Sequence, residues 1–152
     1  MKRLFMDMNF WALLAIFGSI VMIIVPLMGY VGALSEAKRV ADGLRAVEFA
    51  LRQLFYSESE GIGDAGSVTI SVLESEYYLK KGYEKDFGIY WTDHDVGDGR
   101  VSAVIFYRGQ VDPVKLHSRL KRVVWFDPRA KKVYEDYRKG RNAALVVEVK
   151  LF

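Results

Sequence analysis

The chain has 152 residues, no cysteine, two histidines and a formal charge of +3, which excludes disulfides and thiolate metal sites. Setting aside the first 34 of the 152 residues leaves 118, enough for one small domain with its own core. The charge is uneven: residues 57–99 hold 3 Lys/Arg against 10 Asp/Glu, a balance of −7, and residues 100–152 hold 13 against 5, a balance of +8.

Residues 1–9 form a short leader or cytoplasmic segment with Lys2 and Arg3 near its start. Phe10 to Leu34 then runs for 25 residues without a charge, and 13 of these are Leu, Ile, Val or Phe. About 20 apolar residues suffice to cross a bilayer as a helix. Each of the 13 contributes roughly −0.3 to −0.6 kcal/mol near a helix centre, so the run reads as a transmembrane helix over 10–34. Val31-Gly32-Ala33 resembles a signal-peptidase site, but the run is longer than the roughly 7–15 apolar residues of a signal peptide. Lys2 and Arg3 favour a cytoplasmic N-terminus and an extracytoplasmic C-terminal domain, although Lys38, Arg39 and Arg45 on the other side oppose that orientation. Pro26 removes one backbone donor and bends a helix, with Gly29 and Gly32 close behind. Membrane helices tolerate such a bend.

Residues 35–56 continue as an amphipathic helix. Val40, Leu44, Val47, Leu51 and Leu54 recur at spacings of four, three, four and three, and Ala37, Ala41 and Phe55 widen the stripe. Lys38, Arg39, Asp42, Arg45, Glu48 and Arg52 fall mostly on the other side. No turn cluster separates this segment from the apolar run. One helix is therefore expected from Phe10 to Tyr56, bent at Pro26 but unbroken, 47 residues and roughly 70 Å long.

Residues 57–152 read as an antiparallel β domain that begins with a loop at Ser57–Gly66. Gly61, Gly63 and Gly66 spell G-x-G-x-x-G, but a dinucleotide site needs that motif between a strand and a helix. Here it follows a helix and precedes an expected strand, so it reads as a terminator and connector. Val68, Ile70 and Val72 alternate with polar residues as a strand would, as do Phe87, Ile89 and Trp91. Asp98-Gly99 signals a tight hairpin into Val101–Tyr107. Asp112-Pro113 starts a helical turn through Leu120, and Asp127-Pro128-Arg129-Ala130 is a turn between Val123–Phe126 and Val133–Tyr137. Leu145 to Leu151 alternates again. The fold class is α+β: a long N-terminal helix whose stripe at Val40, Leu44, Val47, Leu51 and Leu54 covers the apolar face of a small antiparallel sheet.

The chemistry-bearing residues point away from catalysis. Asp93, Asp95 and Asp98 could hold a hard cation, but Gly97 stands where an EF-hand needs a ligand, and turns favour Asp and Gly anyway. His94 and His117 lie in no nucleophile or metal motif, so neither an enzyme nor a cofactor is expected. Lys115–Arg141 interleaves cations with Trp125, Phe126, Tyr134 and Tyr137, a mixture that can bind nucleic acid. The preferred reading turns the aromatics into the core, leaves the cations in water and assigns no nucleic-acid partner. The opposed charges of the two halves imply pairing inside the domain or between subunits, and pairing between copies is the stronger expectation.

A short basic start, an uncharged helix with a mid-span proline, a continuous amphipathic helix, a Gly-rich loop and an antiparallel sheet together resemble type IV pilins and pseudopilins. Ala37-Lys-Arg-Val-Ala-Asp-Gly-Leu-Arg-Ala and Leu51-Arg-Gln-Leu-Phe-Tyr-Ser, leading to Val68-Thr-Ile-Ser-Val, are most similar to archaeal pilin-like members. If Phe5 is a first mature residue, the family's proline falls on Pro26. The family's leader ends in glycine where this chain has Leu4, and its assembly glutamate falls on Asn9, with Asp7 the only acid nearby. The resemblance implies a membrane-anchored structural subunit that meets the lipid bilayer, itself and other pilin-like subunits. Gly18, Gly29 and Gly32 would permit close helix approach in such an assembly. The alternatives are an uncleaved single-pass accessory or binding protein that makes no filament, and a surface nucleic-acid binder in DNA uptake.

Overall fold

One helix, α1 (Lys2–Glu58), takes up the first third of the chain and holds Pro26 within it. The computed structural model describes residues 2–58, 62–135 and 141–151, the side chains of 2–8 and 98 excepted. The chain divides into two units, Met1–Ser35 and Glu36–Phe152, and this boundary falls one residue after the uncharged run ends. The first unit is helix alone. Its large apolar side chains from Phe10 to Val31 are 42–80% exposed, and the segment is long and apolar enough to cross a membrane.

The second unit is α+β. The last 23 residues of α1 are followed by α2 (Ile70–Ser75), β1 (Phe87–Asp93), β2 (Arg100–Tyr107), α3 (Pro113–Arg119), β3 (Val123–Asp127), β4 (Lys132–Tyr134) and β5 (Asn142–Lys150). The five strands form one antiparallel sheet in the order β1-β2-β5-β3-β4, with a register shift between Trp91 and Asp93. Val40, Leu44, Val47, Leu51 and Leu54 are all buried, as are Ala37, Ala41 and Phe55. They share one core with the inward row of the sheet, Phe87, Val101, Ile105, Tyr107, Trp125, Leu145 and Val147 among them. Period 3.6 on the helix and period 2 on the strands thus deliver their apolar residues to the same space.

Gly43 shows how close the two layers come. A Cβ there would lie 2.1 Å from Cζ of Phe87, so the ring seats directly on the helix backbone. On the other sheet face a smaller cluster forms around Val104, Phe106, Phe126 and Ala144, with Tyr90 stacked on Phe126 at 5.4 Å.

Three sequence expectations need correction. Val68–Val72 is not a strand. A 3₁₀ turn at Ala65–Ser67 leads into α2, where Thr69 is the N-cap and its Oγ1 accepts from the Val72 N–H at 3.3 Å. Val68, Ile70 and Leu73 are the buried positions, and over so few residues a helical face and an alternating one look alike. The loop expected from Ser57 starts later, because α1 runs to Glu58, and Gly61 lies outside the described residues. The β1–β2 connection is not a two-residue hairpin: it spans His94–Gly99 through a 3₁₀ turn at Val96–Asp98. Gly99 takes a left-handed φ of 69°, which is the part of the Asp-Gly signal that holds. The Asp112-Pro113 helix is α3, with Asp112 accepting from the N–H groups of Val114 and Lys115. β4 ends at Tyr134, and Tyr137 lies outside the described residues.

Candidate membrane helix and charge network

The residues picked out for the membrane helix stand free of other protein groups. Asn9, Gly18, Pro26, Gly29 and Gly32 are exposed, and the Asp7 side chain lies outside those described. A Cβ added at Gly18, Gly29 or Gly32 would meet nothing within 4 Å. The Ser19 hydroxyl donates back to the Ala15 carbonyl at 2.8 Å, which satisfies its polarity within the helix. An apolar face of this extent, with no protein over it, calls for lipid or other helices.

Past the uncharged run, the first turns of the second unit carry a network absent from the sequence reading. Arg39 donates to Glu36 at 2.8 Å, to Asp86 at 2.6 Å and to the Tyr107 hydroxyl at 2.8 Å. The Tyr107 hydroxyl donates to Glu36 at 2.7 Å. Hydrogen bonds from Arg39 and then Tyr107 hold the Glu36 carboxyl down at about 2, against an ordinary 4.5. The bond to Glu36, then that to Asp86, raises Arg39 further above its usual range, and burial raises Tyr107. The network ties α1, the segment before β1 and the end of β2 together, and its charges are mutually satisfied. It latches the helix to the sheet. Beside it Arg39, Gly43, Lys81, Gly82, Tyr83, Asp86 and Phe87 line a cleft of about 250 Å³.

The second charged cluster centres on Glu48. The helical pattern assigned Glu48 to the wet side, yet it is only 9% exposed. Arg52 and Arg122 donate to its two carboxylate oxygens at 3.0 and 2.8 Å. Arg122 enters from just before β3, 74 residues away in the chain. No local pattern signals a partner that remote.

The remaining candidates fall to ordinary roles. Asp93 accepts from the Asp95 N–H and Asp95 from the Gly97 N–H, so both carboxylates serve the turn, while the Asp98 side chain lies outside those described. Among the described residues no three metal-binding side chains cluster. His94 is exposed in the β1–β2 connection and His117 is exposed on α3. Within Lys115–Arg141, Trp125 and Phe126 are buried, whereas Lys121, Arg122, Arg129, Lys131 and Lys132 face water. Among the described residues, no ion pair joins the acidic segment 57–99 to the basic segment 100–152. The pairs that leave either segment run to α1, as Asp86–Arg39 and Arg122–Glu48. Comparison of the chain with protein-family models, with curated proteins and with solved structures finds no match.

Proposed function

We propose that this protein is a pilin-like structural subunit, held in the bilayer by Phe10–Leu34 and associating there with copies of itself or with related subunits. One observation carries the reading. The chain keeps a complete core in residues 36–152 and still spends a helix of exposed apolar side chains, 42–80% open from Phe10 to Val31, outside that core. Such a surface is buried by lipid or by neighbouring helices, and open space at Gly18, Gly29 and Gly32 leaves room for a second backbone to approach. The Glu36–Arg39–Asp86–Tyr107 latch and the pairing of Glu48 with Arg122 tie α1 to the sheet, as a structural subunit needs.

The absence of cysteine makes the test clean. Single cysteines placed at Gly18, Gly29 or Gly32 in the full-length chain should cross-link in native membranes, and those at Ile20 or Ile24 much less. Intact mass supplies the second arm: processing near Leu4 supports a pilin-like subunit, and processing after Ala33 refutes it. An uncleaved chain that stays monomeric supports instead an anchored accessory protein. Leu4 and Asn9, which differ from the family's glycine and glutamate, favour that second reading.

A further inference from the structure

β5 is paired unequally on its two sides. β2 accompanies it from Ala144 to Lys150, whereas β3 accompanies it only from Asn142 to Leu145. From Val146 to Lys150 no strand lies on the β3 side among the described residues. The Leu151 N–H donates to the Gly99 carbonyl, so Leu151, and with it Val149 and Val147, turn their backbone groups towards β2. By alternation the N–H and C=O groups of Glu148 and Lys150 point away from β2, into an open lane that would hold a continuation of β3. Val146, Glu148 and Lys150 are exposed. A hollow of about 380 Å³ beside Tyr56 and Val149 and one of about 550 Å³ beside Arg122, Val146 and Glu148 adjoin this lane, and Arg52 lines both.

We propose that this lane takes an extended, acidic segment of a partner polypeptide as a sixth strand beside β5. In strand addition, main-chain bonds to the open edge supply affinity and side chains select the partner. Arg52 and Arg122, both half exposed, stand on either side of the buried Glu48, which offsets only one of their two charges. Arg52 Nη1 and Arg122 Nε and Nη1 have no hydrogen-bond partner among the described residues. Along β5 the charges of Glu148 and Lys150 cancel, so the groups lining the lane keep one net positive charge. Next to them in sheet or chain, Arg100, Arg119 and Lys121 stand against Asp93 and Glu58, which does not reverse that sign. Carboxylates on the helix-facing side of a guest strand would meet the unused N–H groups of Arg52 and Arg122. A second copy is the poorer guest. Two-fold pairing of two β5 edges keeps both helices on one face of the joined sheet and sets Arg52 against its counterpart.

The test uses the full-length chain in detergent, with hydrogen exchange of single amides read by mass spectrometry and electron-transfer fragmentation. In the free protein the Glu148 and Lys150 amides should exchange far faster than those of Val147 and Val149, which β2 holds. The probes are a capped hexapeptide alternating Glu and Val and its counterpart with Lys in place of Glu. At ten times its half-saturating concentration the Glu peptide should slow both open amides about tenfold and leave Val147 and Val149 unchanged. The Lys peptide should bind about threefold or more weakly, a difference that shrinks in high salt. Glu148→Pro removes one open donor without touching the bonds to β2, and it should abolish the protection of Lys150. If that variant does not fold, exchange in the unaltered chain decides alone. Slow exchange at Glu148 and Lys150 before any peptide is added overturns the proposal. Slowing that deepens with protein concentration then assigns the lane to a second copy, and slowing that does not assigns it to the chain itself. No protection by the Glu peptide, or equal protection by both peptides, overturns it as well.

Discussion

Gly43→Ala separates local helix preference from tertiary packing. Position 43 lies inside α1, where replacing glycine by alanine ordinarily stabilises a helix by about 1 kcal/mol. Here the new Cβ would sit 2.1 Å from Phe87 Cζ, 2.7 Å from Cε2 and 3.0 Å from Cε1. Phe87 is 4% exposed and packed against both Tyr83 and Tyr107 at about 5.5 Å, so its ring can shift only towards the cleft that it shares with Gly43, at the expense of those contacts. Overpacking of this kind costs about 1–3 kcal/mol, which outweighs the helix gain. With the helix gain of about 1 kcal/mol subtracted, the expected result is a net loss of up to about 2 kcal/mol, or up to roughly 8 °C in Tm for a domain of this size. The assay is thermal and urea unfolding of the full-length chain in detergent, followed by near-ultraviolet circular dichroism. Phe87→Leu removes the colliding Cζ, and in that background Gly43→Ala should become neutral or stabilising. The two substitutions therefore carry a coupling energy of about 1–3 kcal/mol. A rise in Tm for Gly43→Ala in the native background, or additivity with Phe87→Leu, would refute the close approach of ring and helix.

Leu44→Ala and Leu51→Ala each remove a fully buried side chain from the helix–sheet core and should cost about 2–5 kcal/mol by urea titration; an unaltered midpoint counts against the packing described. Glu48→Ala should cost about 1–2 kcal/mol, because Arg52 and Arg122 are half exposed and regain water once the carboxylate is gone. Arg122→Ala in the Glu48→Ala background should then add little. Glu36 titrates at about 2 when folded against an ordinary 4.5, so the stability it supplies is fully present above about pH 5. That contribution drains away as pH falls from 4.5 towards 2, and Glu36→Gln should flatten this part of an acid-unfolding curve. An acid limb identical in the variant would assign the loss to other carboxylates.

Particular residues show where local patterning was enough. The uncharged run from Phe10 to Leu34 is legible by its length and apolar composition, and the stripe Val40, Leu44, Val47, Leu51 and Leu54 by a period held over about four helical turns. The α+β class followed from that stripe and from strands with clear alternation, Phe87–Trp91 and Leu145–Lys150. Val68–Val72 failed for the opposite reason: five residues satisfy both periods, and the Thr69 cap decided between them.

What the sequence could not reach was set by pairs distant in the chain. Glu48 meets Arg122 across 74 residues and Tyr107 meets Glu36 across 71, and both contacts depend on which strand lies beside which part of α1. The order β1-β2-β5-β3-β4 turns the end of β2, the start of β5 and the β3–β4 turn towards the same end of the domain. Composition counted acidic and basic halves along the chain, whereas folding pairs Asp86 of the acidic half with Arg39 and Arg122 of the basic half with Glu48, both partners on α1. Electrostatic fields sum over space and not over residue number, so only the tertiary structure could decide where the positive surface lies.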